Sequence, residues 1–340
     1  MATCAPAWSQ PAGLELVQAN AGLVAGIEWR RVMDSPVGEM LRQQMRLAPG
    51  PFSGFAAVEK AVLHDVDSVL LATSLNELSK PGAEPPVLLV VTGRFDRAQL
   101  REVLKGKRAP EVHHGIELLA PEGTRPRSPR IALVDERTIL AGDRALMVGA
   151  VDRMQGRALK SGRSKLWTRA AELAARHHIW VVVDAPPADL RNMQGPMAAM
   201  ASVTGMDLGL SFADGLRMEV NLRAKTGEAA QSLAQMVQGL VAMAALNQDP
   251  HQTEFTDVLK KIQVEAQPTG VRLSLALTRA ELDKSVQQAA RRALATRTAS
   301  AKTPAVPITP PAPEPPRRST IRIEGLEGGP VEIPVEKKSK

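Results

Sequence analysis

The sequence predicts an α+β protein made of two related halves of antiparallel strands with helices on one face, in the manner of ferredoxin-like units, followed by a disordered linker and a short β tail. Three observations predict it. A strand followed by an amphipathic helix recurs along the chain, two neighbouring strands are separated by a turn too short for anything but a hairpin, and the composition changes abruptly near residue 300.

The clearest unit lies in the second half. Leu216, Met218, Val220 and Leu222 alternate with Arg217, Glu219 and Asn221, the period of a half-buried strand. Behind it Leu233, Met236, Val237, Leu240, Val241 and Ala244 recur at three- and four-residue steps, one apolar face of a helix. The strand predicted from Met206 to Phe212 is joined to the first by Ala213-Asp214-Gly215, a hairpin turn. The unit returns about 55 residues later, where G-V-R-L-S-L-A-L matches G-L-R-M-E-V-N-L. Thr278 and Glu281 then have the T-x-x-E spacing of a capping box and predict a helix start.

The first half carries looser copies. Val87 to Val91 is an apolar run leading to Asp96, a predicted N-cap with Gln99 at N3 and Leu100 and Val103 in the helix. Ile131 to Val134 and Thr138 to Leu140 flank a turn at Asp135-Glu136, and Asp143 then caps a helix to about Arg153. Each half has an opening element. Leu23 to Trp29 leads past Ser35 and Pro36 into a helix over Val37 to Arg46, and a helix from Lys165 to Arg176 leads into a buried strand, Ile179 to Val183. The boundaries that follow are a leader at 1–19, halves at 20–157 and 163–298, a proline-rich linker at 299–318 and a basic, strand-forming tail at 319–340.

Composition excludes several functions. Hydrophobic residues make up 44% of 340, but aromatics only 3% with no Tyr, so the core must be aliphatic with help from 13 Met. The net charge is +7, yet from Ser285 onward ten Lys or Arg stand against five Glu, so the tail holds +5 of it. The body is nearly neutral and poor in stacking platforms, and nucleic-acid binding is not expected. No run approaches the roughly 18 apolar residues of a membrane-spanning helix. Ala5, Ala7 and Ser9 place small residues at the spacing signal peptidase reads, which predicts export to the periplasm or medium, with a cytoplasmic protein as the alternative. The single Cys4 falls in this leader, so the mature domain has neither disulfides nor thiolate metal sites.

Catalytic motifs do not occur: there is no G-x-S-x-G, S-x-x-K, H-E-x-x-H, Walker A or G-x-G-x-x-G pattern. The candidates that remain are Asp184, at a strand end where sheet enzymes place carboxylates, and the histidine pairs His113-His114 and His177-His178. Asp184 precedes Ala185-Pro186-Pro187, which favours a turn role. Adjacent histidines point their rings apart on a strand or a helix, so packed or exposed side chains are expected and no metal or cofactor is assigned.

The phrases L-L-V-V-T-G-R-F-D-R-A-Q-L, G-I-E-L-L, I-A-L-V-D-E-R-T-I-L-A-G-D and L-S-F-A-D-G-L-R-M-E-V-N-L resemble those of a loose class of bacterial exported repeat-containing α+β proteins of unknown function. The resemblance spans most of residues 20–295 and implies an exported α+β fold. Its motifs are strand ends, turns and caps, so it carries no catalytic residue across. The expected function is that of a non-catalytic exported binding or scaffold protein of the bacterial envelope, with a protein partner engaged through Thr320 to Val335. The alternative is an enzyme with its site in a cleft between the halves.

Overall fold

The computed structural model describes residues 11–39, 42, 65–75, 85–104, 110–120, 129–158, 165–184, 195–246, 258–285, 319–323 and 331–335; the start of the leader, most of the helix predicted over 37–46 and the proline-rich linker lie outside them. Residues 1–285 form one unit and 286–340 another.

In the first unit the described strands join one antiparallel sheet of twelve. Its first flank contains β1 (Leu23–Ile27), β2 (Val66–Thr73), β3 (Val87–Gly93), β4 (Glu111–His113), β5 (Ile116–Leu119), β6 (Arg130–Leu133) and β7 (Thr138–Gly142). The second contains β8 (Ile179–Asp184), β9 (Val203–Ser211), β10 (Gly215–Ala224), β11 (Gln263–Gln267) and β12 (Gly270–Thr278). The spatial order is β11-β12-β10-β9-β8-β1-β2-β3-β7-β6-β5-β4. The helices are α1 (Trp29–Met33), α2 (Arg97–Leu104), α3 (Arg144–Met154), α4 (Lys165–Arg176), α5 (Gly227–Leu246) and α6, described over residues 279–285.

The two flanks extend to either side of a central ladder in which β1 and β8 pair from Leu23↔Val183 to Ile27↔Ile179. In the second flank the meander β8-β9-β10 is followed by α5 and a hairpin, β11-β12, whose second strand returns to β10; in the first the meander β1-β2-β3 is followed by α2 and a four-strand run, β4-β5-β6-β7, whose last strand returns to β3. The second flank thus contains the split β-α-β arrangement of a ferredoxin-like unit, with the antiparallel β12 seated between β10 and β11, which α5 connects; in the first flank β7, β6 and β5 stand between β3 and β4, which α2 connects. β12 lies directly against β10, Leu216 opposite Leu277 and Leu222 opposite Val271, so the two segments matched in sequence are neighbours in space.

Helices cover both faces of the sheet, where the sequence predicts one. Met147, Ala150 and Val151 of α3 and Leu166, Trp167, Ala170 and Leu173 of α4 share a core with Val24, Leu70, Leu88, Val90, Leu140, Trp180 and Val182. On the opposite pleat face Leu100 of α2 packs with Val66, Ile131, Leu133 and Ile139, and Leu233 of α5 with Val203, Leu222, Val271 and Leu273. The reason is that the strands of the first flank are apolar on both pleat faces, Leu140 and Ile139 in succession for example, and each face must leave water.

Caps fall where the spacing predicts them. Asp96 Oδ1 accepts from the backbone N–H groups of Ala98 and Gln99, at 2.8 and 3.1 Å, and Asp143 Oδ1 accepts from that of Ala145 at 2.9 Å. At α6 the Thr278 N–H donates to Glu281 Oε2 (3.0 Å) and the Glu281 N–H to Thr278 Oγ1 (3.4 Å), a reciprocal capping box. No described helix is long and apolar enough to cross a membrane.

In the second unit β13 (Ser319–Ile323) and β14 (Val331–Val335) pair antiparallel as a separate two-stranded sheet, with Ile321 opposite Ile333.

Candidate functional site

Two of the three sequence-derived candidates, Asp184 and His177, lie on one face of the second flank. Alternation in β10 puts Leu222 against α5, and the same alternation continued into β9 and β8 sends Asp184, Gly205, Asp207, Gly209, Ser211, Glu219, Asn221 and Arg223 to the other side. Row by row, Val182 stands opposite Asp207, which stands opposite Asn221, which stands opposite Arg272. Residues of opposite charge meet across diagonal positions, Asp207 with Arg223 and Glu219 with Arg272, and Arg169 of α4 reaches Asp184 and Asp207 from its helix.

Asp207 is the centre of this face. Both its oxygens accept from Arg223 Nη1, at 2.8 and 2.7 Å, and Arg169 Nε lies 3.7 Å from Oδ1. Asp184, predicted as a turn former or a catalytic carboxylate, completes the cluster: its Oδ1 is 3.2 Å from Arg169 Nη2 and 3.5 Å from Arg223 Nη2. Arg223 Nη2 also donates to the Val183 carbonyl at 2.9 Å. A second cluster continues the face, where Arg272 Nε is 3.3 Å from Glu219 Oε1 and 3.2 Å from Asn221 Oδ1. Both carboxylates are thus held between arginines.

His177 leads into β8 and is 4% exposed, with its ring lying over Gly209; a Cβ at Gly209 would fall 2.3 Å from His177 Cδ2. Its Nδ1 is 3.1 Å from Ser211 Oγ, and Nε2 is 4.0 Å from Glu219 Oε2. Serine, histidine and glutamate are the types of a hydrolytic triad, but the protons are placed otherwise. The Ser211 hydroxyl donates to the Arg176 carbonyl at 3.1 Å, so Oγ accepts from Nδ1–H and Nε2 is left bare. Such a serine is not activated. Burial pushes His177 below the ordinary histidine range, Arg176 adds to the effect and Glu219 opposes it. His178 is lowered by burial and then by Arg31, and its Nδ1 accepts the Phe212 N–H at 3.1 Å. Both rings are buried.

His113 lies on the far flank and behaves differently. β4 and β5 are joined by the two-residue turn His114-Gly115, with His113 opposite Ile116 and φ of 47° and 82° at the two turn residues. Both φ values are positive, as in a type I′ turn, where Asn-Gly is the preferred pair. The left-handed backbone at His114 swings its ring back beside that of His113, with centroids 4.2 Å apart, so adjacency does not separate them. Both converge on Asp152 in the last turn of α3: His113 Nε2 is 2.7 Å and His114 Nε2 3.4 Å from Asp152 Oδ1. Asp152 is the residue sequence reasoning missed. It is 38 positions from His114, and only the return of β5, β6 and β7 to α3 brings it near.

The alternative site, a cleft between the halves, corresponds to the β1–β8 ladder. Trp180, 1% exposed, is packed over it.

No protein-family model and no curated protein sequence matches the chain. Among solved structures, it is similar to crystal form I of TP0453, with a TM-score of 0.47, 10% identity and coverage of 82% of this chain and 98% of that one. It is likewise similar to crystal form III of TP0453, with a TM-score of 0.43, 12% identity and coverage of 81% and 97%.

Proposed function

We propose that this is a non-catalytic binding or scaffold protein, exported to the periplasm or medium, whose tail takes hold of a protein partner by strand addition. The observation that carries the proposal is the C-terminal hairpin. A two-stranded sheet has an outer edge on each strand, and an unpaired edge is a template for another extended chain. Pro334 removes a donor from β14, which leaves β13, free of proline, as the better template. Alone, such a hairpin is marginal in water and gains by pairing. The seven prolines between residues 300 and 316 favour extended chain, and those 17 residues would span roughly 50 Å at about 3.1 Å each. The polar face of β8, β9 and β10 fits the same proposal, since its carboxylates are bound to arginines.

The test compares the full chain, a chain ending at residue 318 and an Ile321→Pro variant, each cross-linked to an envelope fraction and captured. All three should unfold at the same temperature, and the shortened and proline forms should lose the partners that the full chain captures. An identical set of partners from the shortened chain would overturn the proposal.

A further inference from the structure

We propose that His113, His114 and Asp152 form a binding site for a divalent first-row transition ion of the zinc class. The site lies outside the polar face and is independent of the tail.

The argument begins with convergence. One donor atom from each residue lies within 4.8 Å of the other two, and they come from two different elements, a hairpin turn and a helix. Two imidazole nitrogens and one carboxylate oxygen are a donor set that zinc, nickel, cobalt and copper accept, and magnesium or calcium do not favour. Ligands about 2.0–2.1 Å from a tetrahedral ion stand roughly 3.3–3.4 Å from one another. His114 Nε2 and Asp152 Oδ1 already have that separation, at 3.4 Å. His113 Nε2 is closer, at 2.7 Å, the distance of a hydrogen bond to the carboxylate. The ion would take the place of that proton, the ring would carry its proton on Nδ1 instead, and the pair would open by about 0.6 Å. The three side chains are 24%, 36% and 26% exposed, so water can reach the ion and fill its remaining position.

The surroundings favour a cation and fix the donors. Asp152 stands in the last turn of α3, where the helix dipole is negative. Gln155 Nε2 donates to the His114 carbonyl at 3.1 Å, which ties the hairpin turn to the end of the helix. Glu111, two residues before His113, is paired with Arg144. His114 is the one non-glycine with positive φ among the described residues. Asparagine would satisfy the turn at lower cost, so the histidine there needs a reason that the turn does not supply.

The turn chemistry provides the decisive variant. His114→Asn keeps the left-handed turn and removes a ligand. The experiment uses the full chain with any affinity tag removed, titrated with cobalt(II) by visible absorbance and with zinc(II) by calorimetry. The expected result is one equivalent bound, with a cobalt band of a nitrogen- and oxygen-ligated ion. His113→Ala, His114→Asn and Asp152→Asn should each weaken binding by about thirtyfold or more, while His64→Ala and His251→Ala should leave it unchanged. Zinc should raise the unfolding temperature of the parent chain and not that of the three variants, and His114→Asn should be at least as stable as the parent without metal. Unchanged affinity in the His114→Asn and Asp152→Asn chains, or binding that follows His64 or His251, would overturn the proposal.

Discussion

Gly26 lies directly beneath the indole of Trp180. The two are register partners in the β1–β8 ladder, and a Cβ at Gly26 would fall 2.3 Å from Trp180 Cε2 and Cζ2. Gly209, the partner of Trp180 on the other side, makes room instead for the His177 ring, so a glycine on each neighbouring strand admits a buried ring at this joint. The joint between the two flanks is built on this omission. Gly26→Ala must move a ring that is 1% exposed and should destabilise the protein by about 1–3 kcal/mol. Trp180→Ala should cost about 3–5 kcal/mol. Urea unfolding curves measure both, and a neutral Gly26→Ala would mean that the ladder can part without loss.

The Asp207–Arg223 pair makes a different kind of prediction, because what is left behind matters more than what is removed. Their side chains are 13% and 26% exposed, and Arg169 lies beside them. Asp207→Ala leaves two guanidinium groups with Asp184 as their one remaining carboxylate among the described residues and should cost about 3 kcal/mol. Removing the pair together, as Asp207→Leu with Arg223→Met, should cost less than the sum of the single changes. A double-mutant cycle in denaturant checks it. Strict additivity would show that the pairing of Asp207 with Arg223 contributes nothing.

His177 and His178 make stability depend on pH near neutrality. Both are held below the ordinary value of 6.5, chiefly by burial, with Arg176, Arg31 and Arg217 opposing protonation and Glu219 favouring it at His177. The folded state therefore binds fewer protons than the unfolded chain. The associated stability is fully present above about pH 6.5 and is lost as pH falls through the lowered folded values. Denaturation midpoints should fall from pH 7.5 to 5.5, and His178→Asn, which retains an acceptor for the Phe212 N–H, should flatten the slope. A midpoint that rises on acidification would contradict the assignment.

What the sequence made legible is local. Asp96, Asp143 and the Thr278–Glu281 box are read from spacing because a cap is satisfied within three residues, and β10 is read from alternation because one of its faces meets α5 and the other carries charge. Helices on both sides of the sheet were hidden, since an apolar run such as Val87 to Val91 is equally consistent with one covered face or two. The candidate site was legible only as residue types. Asp184 was visible at its strand end, but its commitment to Arg169 and Arg223 depends on pairing across three strands. The convergence of His113 and His114 depends on a single left-handed residue, and spacing rules assume the regular geometry that this residue breaks.

The capping box at α6 gives a prediction at the acid end. Glu281 is lowered to about 2, first by its hydrogen bond to Lys261 and then by the N–H and hydroxyl of Thr278. The box joins a strand end, a helix start and, through Lys261, the chain that enters β11. A carboxylate with a depressed folded pKa contributes stability that is present above its ordinary value of 4.5 and is lost as pH falls toward 2. The start of α6 should therefore loosen in acid before the β1–β8 ladder does, and amide exchange at residues 279–282 should quicken between pH 4.5 and 2.5 relative to Val24 and Val182. Glu281→Gln keeps an acceptor for the Thr278 N–H but removes the charge, and should make exchange there faster at neutral pH and nearly independent of acid. Thr278→Ala removes the other half of the box, should cost about 1 kcal/mol and should leave the acid response mediated by Lys261 in place. If both variants respond to acid as the parent does, the box is a geometric coincidence and α6 is held by the packing of Leu282 alone.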